Sequence, residues 1–340
     1  MPVRSPRLPR RQQGMALIMV LLAFALVGSL AAGMLSSQSL MIYKASHYLD
    51  QRQARGFALG GEAFARQLLY RDWEDDDENN EMVDDPGEFW AANSAALPVK
   101  QGAGAVEMQI NDLQGKINLN DLVDANGKVN PLVRDRLDRL IGMLPGLQAV
   151  NVDKIIDWID DNDQVSSGQG AEDGIYLGMN PPYRAANFPF VDVSELRLID
   201  GMTPEGFAVL KPHVSALPAH NQGINVNFAS IQVIQSLVPK MTFQQAKVIY
   251  DDIRDENKKF RFENVQDFIA RPEFAGTGIK KDLLRVDSNF MESAVRVNLN
   301  GQIYRLVTKL YRNNKGELQV ISRDAGETSI ITKPLKNLGE

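Results

Sequence analysis

Six carboxylates crowd into one short stretch of this chain, residues 157–177, with the sequence DWIDDNDQVSSGQGAEDGIYL. Glycines between them let the backbone curl back on itself. A hard cation such as calcium takes several oxygen ligands in flexible geometry, and carboxylates, side-chain amides and main-chain carbonyls can all supply them. The stretch therefore predicts a calcium site, and the ligands we select are Asp160, Asp161, Asp163, Glu172 and Asp173.

The acidic stretch is not an EF-hand. Glu172 follows Asp161 by eleven residues, as the last ligand of an EF-hand follows the first, but Val165 stands at the fifth loop position. Ser166 occupies the sixth position, where an EF-hand requires glycine. The alternative to a calcium site is an acidic surface loop that caps the helix ending near Trp158.

Nothing in the sequence assembles a catalytic set. The chain has no Cys, and its three His, at positions 47, 213 and 220, are widely separated. Ser166 and Ser167 lack the G-x-S-x-G context of a nucleophile elbow. We therefore predict that the protein is not an enzyme; a calcium-dependent hydrolase using the acidic loop stays open as an alternative without a nameable substrate.

A membrane segment stands at the N-terminus. The chain has no charged residue from Gln12 to Tyr43, and four arginines precede this run. Gly14 stands before the apolar run, whereas a secretory signal places small residues after it. The order resembles the signal of type IV pilins and type II secretion pseudopilins, which prepilin peptidase cuts after the glycine. The alternatives are an ordinary signal anchor, or a secretory signal cut after residues 31–33.

Helical spacing of apolar residues continues beyond the membrane run to about Tyr70, which predicts one long helix, half in lipid and half packed on a domain. Residues 72–88 come next as an acidic block, and repulsion among its like charges predicts an exposed, mobile loop. Cation binding by this block is the alternative.

Strands are predicted at both ends of the remaining chain. Val106–Ile110 and Lys116–Leu119 are two short strands, and residues 294–326 contain three more, joined by turns at Asn300-Gly301 and at NNKG. The segment between them, about residues 121–290, has helical spacing. This order predicts an α+β fold in which a sheet domain is interrupted by a large all-α insertion.

The insertion contains a weak repeat, KINLNDL at 116–122 and GINVNFA at 223–229, and three segments of the form helix, tight turn, helix. Such segments are typical of SAM-like and helix-hairpin-helix units, some of which bind DNA. Acidic residues flank these turns, and the net charge of −6 becomes −10 once a leader with four arginines and no acid is removed. A phosphate-binding role needs a positive field, so we predict no nucleic-acid binding; a membrane-anchored, pilin-like DNA receptor is the alternative function.

Three features together resemble the K-type minor pseudopilins of bacterial type II secretion systems, the GspK family. They are Gly14 before MALIMVLL, the DWID and GAEDGIYL segments followed by PPYRAANFPFVDVSELRLIDG, and the chain length, which exceeds that of ordinary pseudopilins. The resemblance implies a pilin-like domain carrying a helical insertion, with bound calcium. It also implies cleavage between Gly14 and Met15 and N-methylation of Met15.

From the resemblance we expect four parts: a removed leader (1–14), a transmembrane part of the long helix (15–36), a pilin-like α/β domain (37–120 and 291–340) and the helical insertion (121–290). The expected partners are the I- and J-type minor pseudopilins, the major pseudopilin, the inner-membrane secretion platform and prepilin peptidase. The expected location is the bacterial inner membrane, crossed once, with the C-terminal domain in the periplasm.

Met19 departs from the general pilin pattern. Most pilins carry Glu at the fifth position of the mature chain, where it is thought to neutralise the N-terminus of a neighbouring subunit; here that position is Met19, as in other K-type subunits. A carboxylate in lipid is costly and is kept only where it has a partner. We therefore expect the chain to occupy the tip of the pseudopilus, a place where this contact is not needed; the alternative is that Met19 only favours membrane insertion.

Overall fold

The structure is a computed structural model that describes residues 12–99, 104–218, 220–255, 257, 260–327, 330–333 and 335–337. The helices, in chain order, are α1 (Gln12–Asn79), α2 (Phe89–Ala92), α3 (Pro131–Met143), α4 (Val152–Ile159), α5 (Asp173–Tyr176), α6 (Pro204–Leu210), α7 (Ile231–Ser236), α8 (Phe243–Ile253) and α9 (Val265–Ile269). The strands are β1 (Ser94–Pro98), β2 (Gly104–Asp112), β3 (Ile117–Asn118), β4 (Val214–Ser215), β5 (Ile224–Asn225), β6 (Leu284–Arg285), β7 (Phe290–Leu299), β8 (Gln302–Arg312), β9 (Leu318–Asp324) and β10 (Leu335–Asn337).

Helix α1 dominates the length of the molecule. Its 68 residues at about 1.5 Å each span roughly 100 Å. In the part of the chain that the structure describes, it is the one helix long and apolar enough to cross a membrane, with a mean hydropathy of 2.6 in its most apolar window. Every described side chain from Met15 to Leu49 is exposed, so this half of α1 is not buried against any other part of the chain that the structure describes.

The prediction of a loop at residues 72–88 is wrong for the first half of this range. Helix α1 continues nine residues beyond Tyr70 and ends at Asn79. The repulsion among its acidic residues is offset by basic side chains that come from much later in the sequence, above all Arg312, whose Nη1 lies 3.5 Å from Asp72 Oδ2. Asp84, in the second half of the block, is 1% exposed. The block is therefore helical in its first half and buried at Val83 and Asp84, while residues 74, 75 and 77–82 are exposed as predicted.

One six-stranded sheet lies against the distal half of α1, with strand order β10-β1-β2-β7-β8-β9. All neighbours are antiparallel except β1 and β10, which pair in parallel. Both predicted turns are confirmed: Asn300 and Gly301 have positive φ between β7 and β8, and Gly316 has a φ of 74° between β8 and β9. A Cβ on Gly316 would overlap the ring of Trp73, so this turn also packs against α1.

Small residues of α1 let the helix approach the sheet closely. Ala54, Ala58 and Ala65 are at most 1% exposed and pack in one cluster with Val106 of β2 and Val295 of β7. Gly61 belongs to the same face, and a Cβ there would lie 2.8 Å from a methyl of Val295. This buried apolar face supplies most of the driving force that holds the helix to the sheet.

The insertion between β2 and β7 is helical, as predicted, and has its own core. The three predicted helix-turn-helix segments are present as α3 with α4, a 3-10 helix at Val193–Leu198 with α6, and α7 with α8. Two short parallel strand pairs, β3 with β4 and β5 with β6, add to the helices. The insertion has two halves: β3 begins the first half and pairs with β4 at its end, and β5 begins the second half and pairs with β6 at its end.

The repeated KINLNDL and GINVNFA segments form equivalent structures. Each supplies the first strand of a parallel pair, and in each the Asn after the apolar residue caps the turn that comes next in the chain. Asn118 Oδ1 accepts hydrogen bonds from the backbone of Asn120 and Leu217, and Asn225 Oδ1 accepts one from Asn227. The sequence repeat therefore marks two similar entry points into the insertion.

Candidate metal centre

Asp157 organises the acidic loop from its centre. It lies on α4, which begins after the N-cap Asn151, and it is fully buried. Its Oδ1 accepts hydrogen bonds from the Ser166 backbone, at 2.9 Å, and from the Ser166 hydroxyl; its Oδ2 accepts one from the Ala171 backbone at 2.8 Å. A Cβ on Gly170 would overlap Asp157 Oδ2, so glycine is required for this close approach. The loop is thus folded around one carboxylate.

Asp160 and Glu172 present carboxylate oxygens that have no partner. Asp160 is 7% exposed and its Oδ1 accepts no hydrogen bond; Glu172 is 6% exposed and neither of its oxygens accepts one. Burial, followed by the charges of Asp157, Asp160, Asp163 and Asp173, raises the pKa of Glu172 to about 7. Buried carboxylates without partners are costly, and hard-cation coordination would satisfy them. The donor set therefore fits calcium.

The three other predicted ligands are arranged differently. Asp173 is bound by Arg184, with Nη1 2.6 Å from Oδ2, and by the Ala185 backbone at 3.0 Å. Asp163 is exposed and accepts a hydrogen bond from Asn187 Nδ2 at 2.9 Å. Asp161 is exposed at the rim of a cavity of about 190 Å³ that Asp160 also lines. The structure thus places Asp160 and Glu172 innermost and the other three around them.

The ligand oxygens of this loop do not converge as tightly as those of an occupied site. Within the described ranges, three carboxylates with oxygens inside 4.8 Å of one another occur at one place, outside the loop. Calcium ligands lie about 2.3–2.6 Å from the ion, so binding would have to draw some loop carboxylates inward. The glycines at 168, 170 and 174 leave the backbone free for such an adjustment.

The PPY segment wraps around the acidic loop and holds it against an aromatic base. Trp158 meets Tyr176 edge-on at 5.2 Å between ring centroids, and Tyr176 stacks on Tyr183 at 5.4 Å. The Tyr183 hydroxyl donates to the Leu198 carbonyl at 2.8 Å. Arg184 and Asn187, from the same segment, are the partners of the loop carboxylates described above. The PPY segment therefore covers the acidic loop and binds two of its carboxylates.

The sequence-based prediction of site residues does not include Asp157 and Asn120, two buried residues that hold the site region together by hydrogen bonds. Asp157 is one of the six acids of the loop, but its central position depends on how the loop folds back. Asn120 belongs to the sequence repeat: its Nδ2 donates to the Phe190 and Leu217 carbonyls, both at 2.9 Å, and its Oδ1 accepts from the Phe190 backbone at 2.7 Å. The signal for Asn120 in the sequence is its position in the repeat, since KINLNDL and GINVNFA both carry a second Asn two residues after the first.

The residues predicted for processing and assembly lie together at the start of α1. Gly14, Met15 and Met19 are all helical and exposed, and Met19 is 68% exposed. The remainder of the predicted leader, residues 1–11, lies outside the described residues. An exposed helical start of this kind leaves Met15 and Met19 open to other helices.

Comparison with known proteins decides the family. Two family models described as type II secretion system protein K match residues 115–219 and 224–287. The type II secretion system protein K of Pseudomonas aeruginosa is 35% identical over 323 residues, which covers 94% of this chain and 94% of that relative. This chain belongs to the type II secretion system protein K family. The protein K of Klebsiella pneumoniae is also similar, 34% identical over 64% of this chain and 66% of the relative.

A solved protein K complex has the same fold. A chain from the crystal structure of the GspK-GspI-GspJ complex of the enterotoxigenic Escherichia coli Type 2 Secretion System superposes with a TM-score of 0.70. The match covers 84% of this chain and 100% of that chain, at 24% identity. The predicted α+β fold with a helical insertion is therefore confirmed. Membership of the protein K family also disfavours the DNA-receptor alternative.

Proposed function

We propose that this protein is a minor pseudopilin that forms the tip of the type II secretion pseudopilus together with I- and J-type subunits, and supports export of folded proteins. Its role is assembly rather than catalysis. The observation that carries the proposal is the exposure of α1: every described side chain from Met15 to Leu49 is exposed, while the distal half of the helix packs on the sheet. An apolar helix in this state needs lipid or other helices as its surroundings.

The large insertion and Met19 support a position at the end of the fibre. The insertion adds a second core beyond the sheet, and such a cap would obstruct a subunit stacked above it. Met19 supplies no carboxylate for the amine of a neighbouring subunit. We further propose that the helix is inserted in the inner membrane with the folded part in the periplasm, and that the major pseudopilin, the secretion platform and prepilin peptidase are further partners.

Co-expression of the full chain with tagged I- and J-type subunits tests the proposal. We expect all three to co-purify through the tag on the I-type subunit. The mature chain recovered from cells containing prepilin peptidase should begin at Met15 with a methylated amine, as measured by intact mass. A chain that retains residues 1–14 and purifies without the two subunits would contradict the proposal.

We also propose that the acidic loop binds calcium through Asp160 and Glu172, joined by Asp161, Asp163 and Asp173. The partnerless buried oxygens of Asp160 and Glu172 support it. Bound calcium would neutralise the crowded carboxylates and fix the loop against the PPY segment. Asp160→Asn with Glu172→Gln should reduce the rise in melting temperature that calcium produces over EDTA. Asp251→Asn, an exposed acid on α8, is the control and should keep that rise; equal behaviour of the two variants would refute this site.

A further inference from the structure

A second group of carboxylates lies where helix α1 ends, far along the sequence from the acidic loop. Asp72 comes from the last turns of α1, Asp84 from the segment after it, and Glu88 immediately precedes α2. Each offers an oxygen, and the three oxygens lie within 4.8 Å of one another. Asp84 is 1% exposed and the other two are partly buried. The fold thus forces like charges together in the interior.

The negative charge of this group exceeds the positive charge beside it. Arg312 is the cation within the group: its Nη2 lies 2.7 Å from Asp84 Oδ1, and its Nη1 lies 3.5 Å from Asp72 Oδ2. Trp90 Nε1 donates to Asp72 Oδ2 at 3.0 Å and brings no charge. Asp76 adds a fourth carboxylate whose pKa is raised to about 6 by burial and by the charge of Asp84. Four acids therefore face one buried guanidinium.

Arg261, another described cation of this region, is already engaged. Arg261 binds Glu81 through Nη2 at 2.7 Å and lies 3.5 Å from Asp85 through Nη1. These two acids stand at the outer edge of the same segment, and Glu81 is exposed. Arg261 is thus balanced by Glu81 and Asp85, so among the described side chains the excess of negative charge around Asp72, Asp84 and Glu88 remains.

Glu88 is the group that points to a missing ligand. Both oxygens of its carboxylate are shut off from solvent, and neither has a hydrogen-bond partner. It occupies the N-cap position of α2, but its side chain makes no capping hydrogen bond, so capping does not explain an acid here. Burial and the charges of Asp72 and Asp84 raise its pKa to about 11. A buried carboxylate without partners is costly unless something binds to it.

We propose that Asp72, Asp84 and Glu88 hold a hard divalent cation, of which calcium is the fitting example. All ligands are oxygens, as calcium prefers, and the three oxygens lie within 4.8 Å of one another, close enough to bind one ion at about 2.3–2.6 Å each. With all four acids ionised, their charge exceeds that of Arg312 by three. A bound divalent ion would reduce this excess of negative charge to one, whereas a proton on Glu88 would reduce it only to two. Asp84 shares its carboxylate between the ion and Arg312.

The cation would act as a clamp between distant parts of the chain. Asp84 also accepts a hydrogen bond from the Ser288 backbone at 2.6 Å, and its carbonyl accepts one from Asn225 Nδ2 at 3.2 Å. Ser288 lies where the chain returns from the insertion, and Asn225 lies at the entry to the second half of the insertion. The ion would therefore connect the end of α1 with the base of the insertion. This inference is independent of calcium binding by the acidic loop.

The test is to count calcium ions on the full-length protein in detergent micelles by equilibrium dialysis. Glu88→Gln should lose one ion per chain relative to the unmodified protein, and should lose one ion again when introduced into a Glu172→Gln background. Glu74→Gln, an exposed acid near Asp72 on α1, is the matched control and should retain the full count. An unchanged count in Glu88→Gln overturns the proposal, because it means that Glu88 is neutralised by a proton instead.

A second measurement applies if Glu88→Gln does not fold, as judged by circular dichroism. Terbium substitutes for calcium, and Trp90 contacts Asp72, so excitation of tryptophan should sensitise emission from an ion at this site. The Glu172→Gln protein, in which the cluster is intact, should show this emission and lose it on addition of calcium. Absence of sensitised emission overturns the proposal. Emission here with failed calcium binding at the acidic loop would leave this site standing and reject the other.

Discussion

Glu62 is a carboxylate placed inside the contact between α1 and the sheet. It is 3% exposed, and its two oxygens accept hydrogen bonds from Arg323 at 2.6 and 2.7 Å and from the Thr308 hydroxyl at 2.9 Å. The Arg323 hydrogen bond is the main cause that holds the pKa of Glu62 below its ordinary value of 4.5, against the opposing effect of burial. The ionised form is therefore the one that stabilises the fold.

Glu62→Gln should lower the free energy of unfolding by about 1.5–3 kcal/mol at pH 7, the usual contribution of a hydrogen bond to a charged group. Because the folded state has the lower pKa, the unfolded chain takes up the proton first as the pH falls. The stabilisation is then complete above about pH 4.5 and is lost as the pH falls through the folded pKa. Urea unfolding between pH 7 and pH 3 should give a flatter stability profile for Glu62→Gln; a parallel profile would contradict this.

Asp157 should matter to the acidic loop without being a ligand. Asp157→Ala removes the acceptor for the Ser166 and Ala171 backbone donors, and buried donors left unpaired cost about 1–3 kcal/mol each. We expect a lower melting temperature and weaker calcium binding in titration calorimetry. Asp163→Ala, which truncates an exposed acid of the same loop, should keep the melting temperature of the calcium-free protein.

Sequence composition predicts which loop is acidic, but not which acids lie inside it. Asp160 and Glu172 are predicted ligands because oxygen-rich loops suit calcium, and both lie buried with free oxygens. Asp157 could not be singled out, since its place depends on Gly170 approaching within van der Waals contact. The sequence assigns Asp72 to a mobile loop because its counter-charge, Arg312, comes 240 residues later. Local like-charge repulsion is outweighed by a contact distant in sequence.

At the scale of elements, α1 has one face that the sheet requires to be small. Gly61→Leu should destabilise the fold by about 1–3 kcal/mol, the usual cost of overpacking a core, because a Cβ at Gly61 already meets Val295. Gly60→Leu is the matched control, because no atom lies within 4 Å of a Cβ placed on Gly60. There, improved helix propensity should add up to about 1 kcal/mol. Thermal unfolding of both variants measures the difference, and equal shifts would refute the packing argument.

The existence and order of most elements could be read from periodicity and turn residues. Alternation and Asn300-Gly301 predict the β7–β8 hairpin, and spacing around tight turns predicts the helix pairs of the insertion. The two parallel strand pairs could not be predicted, because each strand has only two residues and pairs with a segment 60 or more positions away. The end of α1 could not be predicted either, because tertiary ion pairs stabilise its last turns.

At the scale of the whole molecule, Arg312 joins the long helix to the segment that follows it and to the end of the insertion. It is 4% exposed and binds Asp72, Asp84 and the Ser288 carbonyl. Arg312→Met should destabilise the protein by about 3–5 kcal/mol, the cost of leaving buried charges without a partner. Arg296→Met on the neighbouring strand breaks a more exposed pair with Glu107 and should cost no more than about 1 kcal/mol. Urea unfolding compares the two; similar losses would contradict a central role for Arg312.

The short parallel strand pairs make the insertion two closed loops. The chain enters the first loop at Ile117 and leaves it beside that residue at Val214; it enters the second at Ile224 and leaves beside it at Leu284. The two regions matched by family models, residues 115–219 and 224–287, begin and end at these crossings. Each loop can therefore lengthen, shorten or be exchanged without shifting the register of β2 on β7. The helix and sheet that join the fibre can stay constant while the surface at its end diversifies.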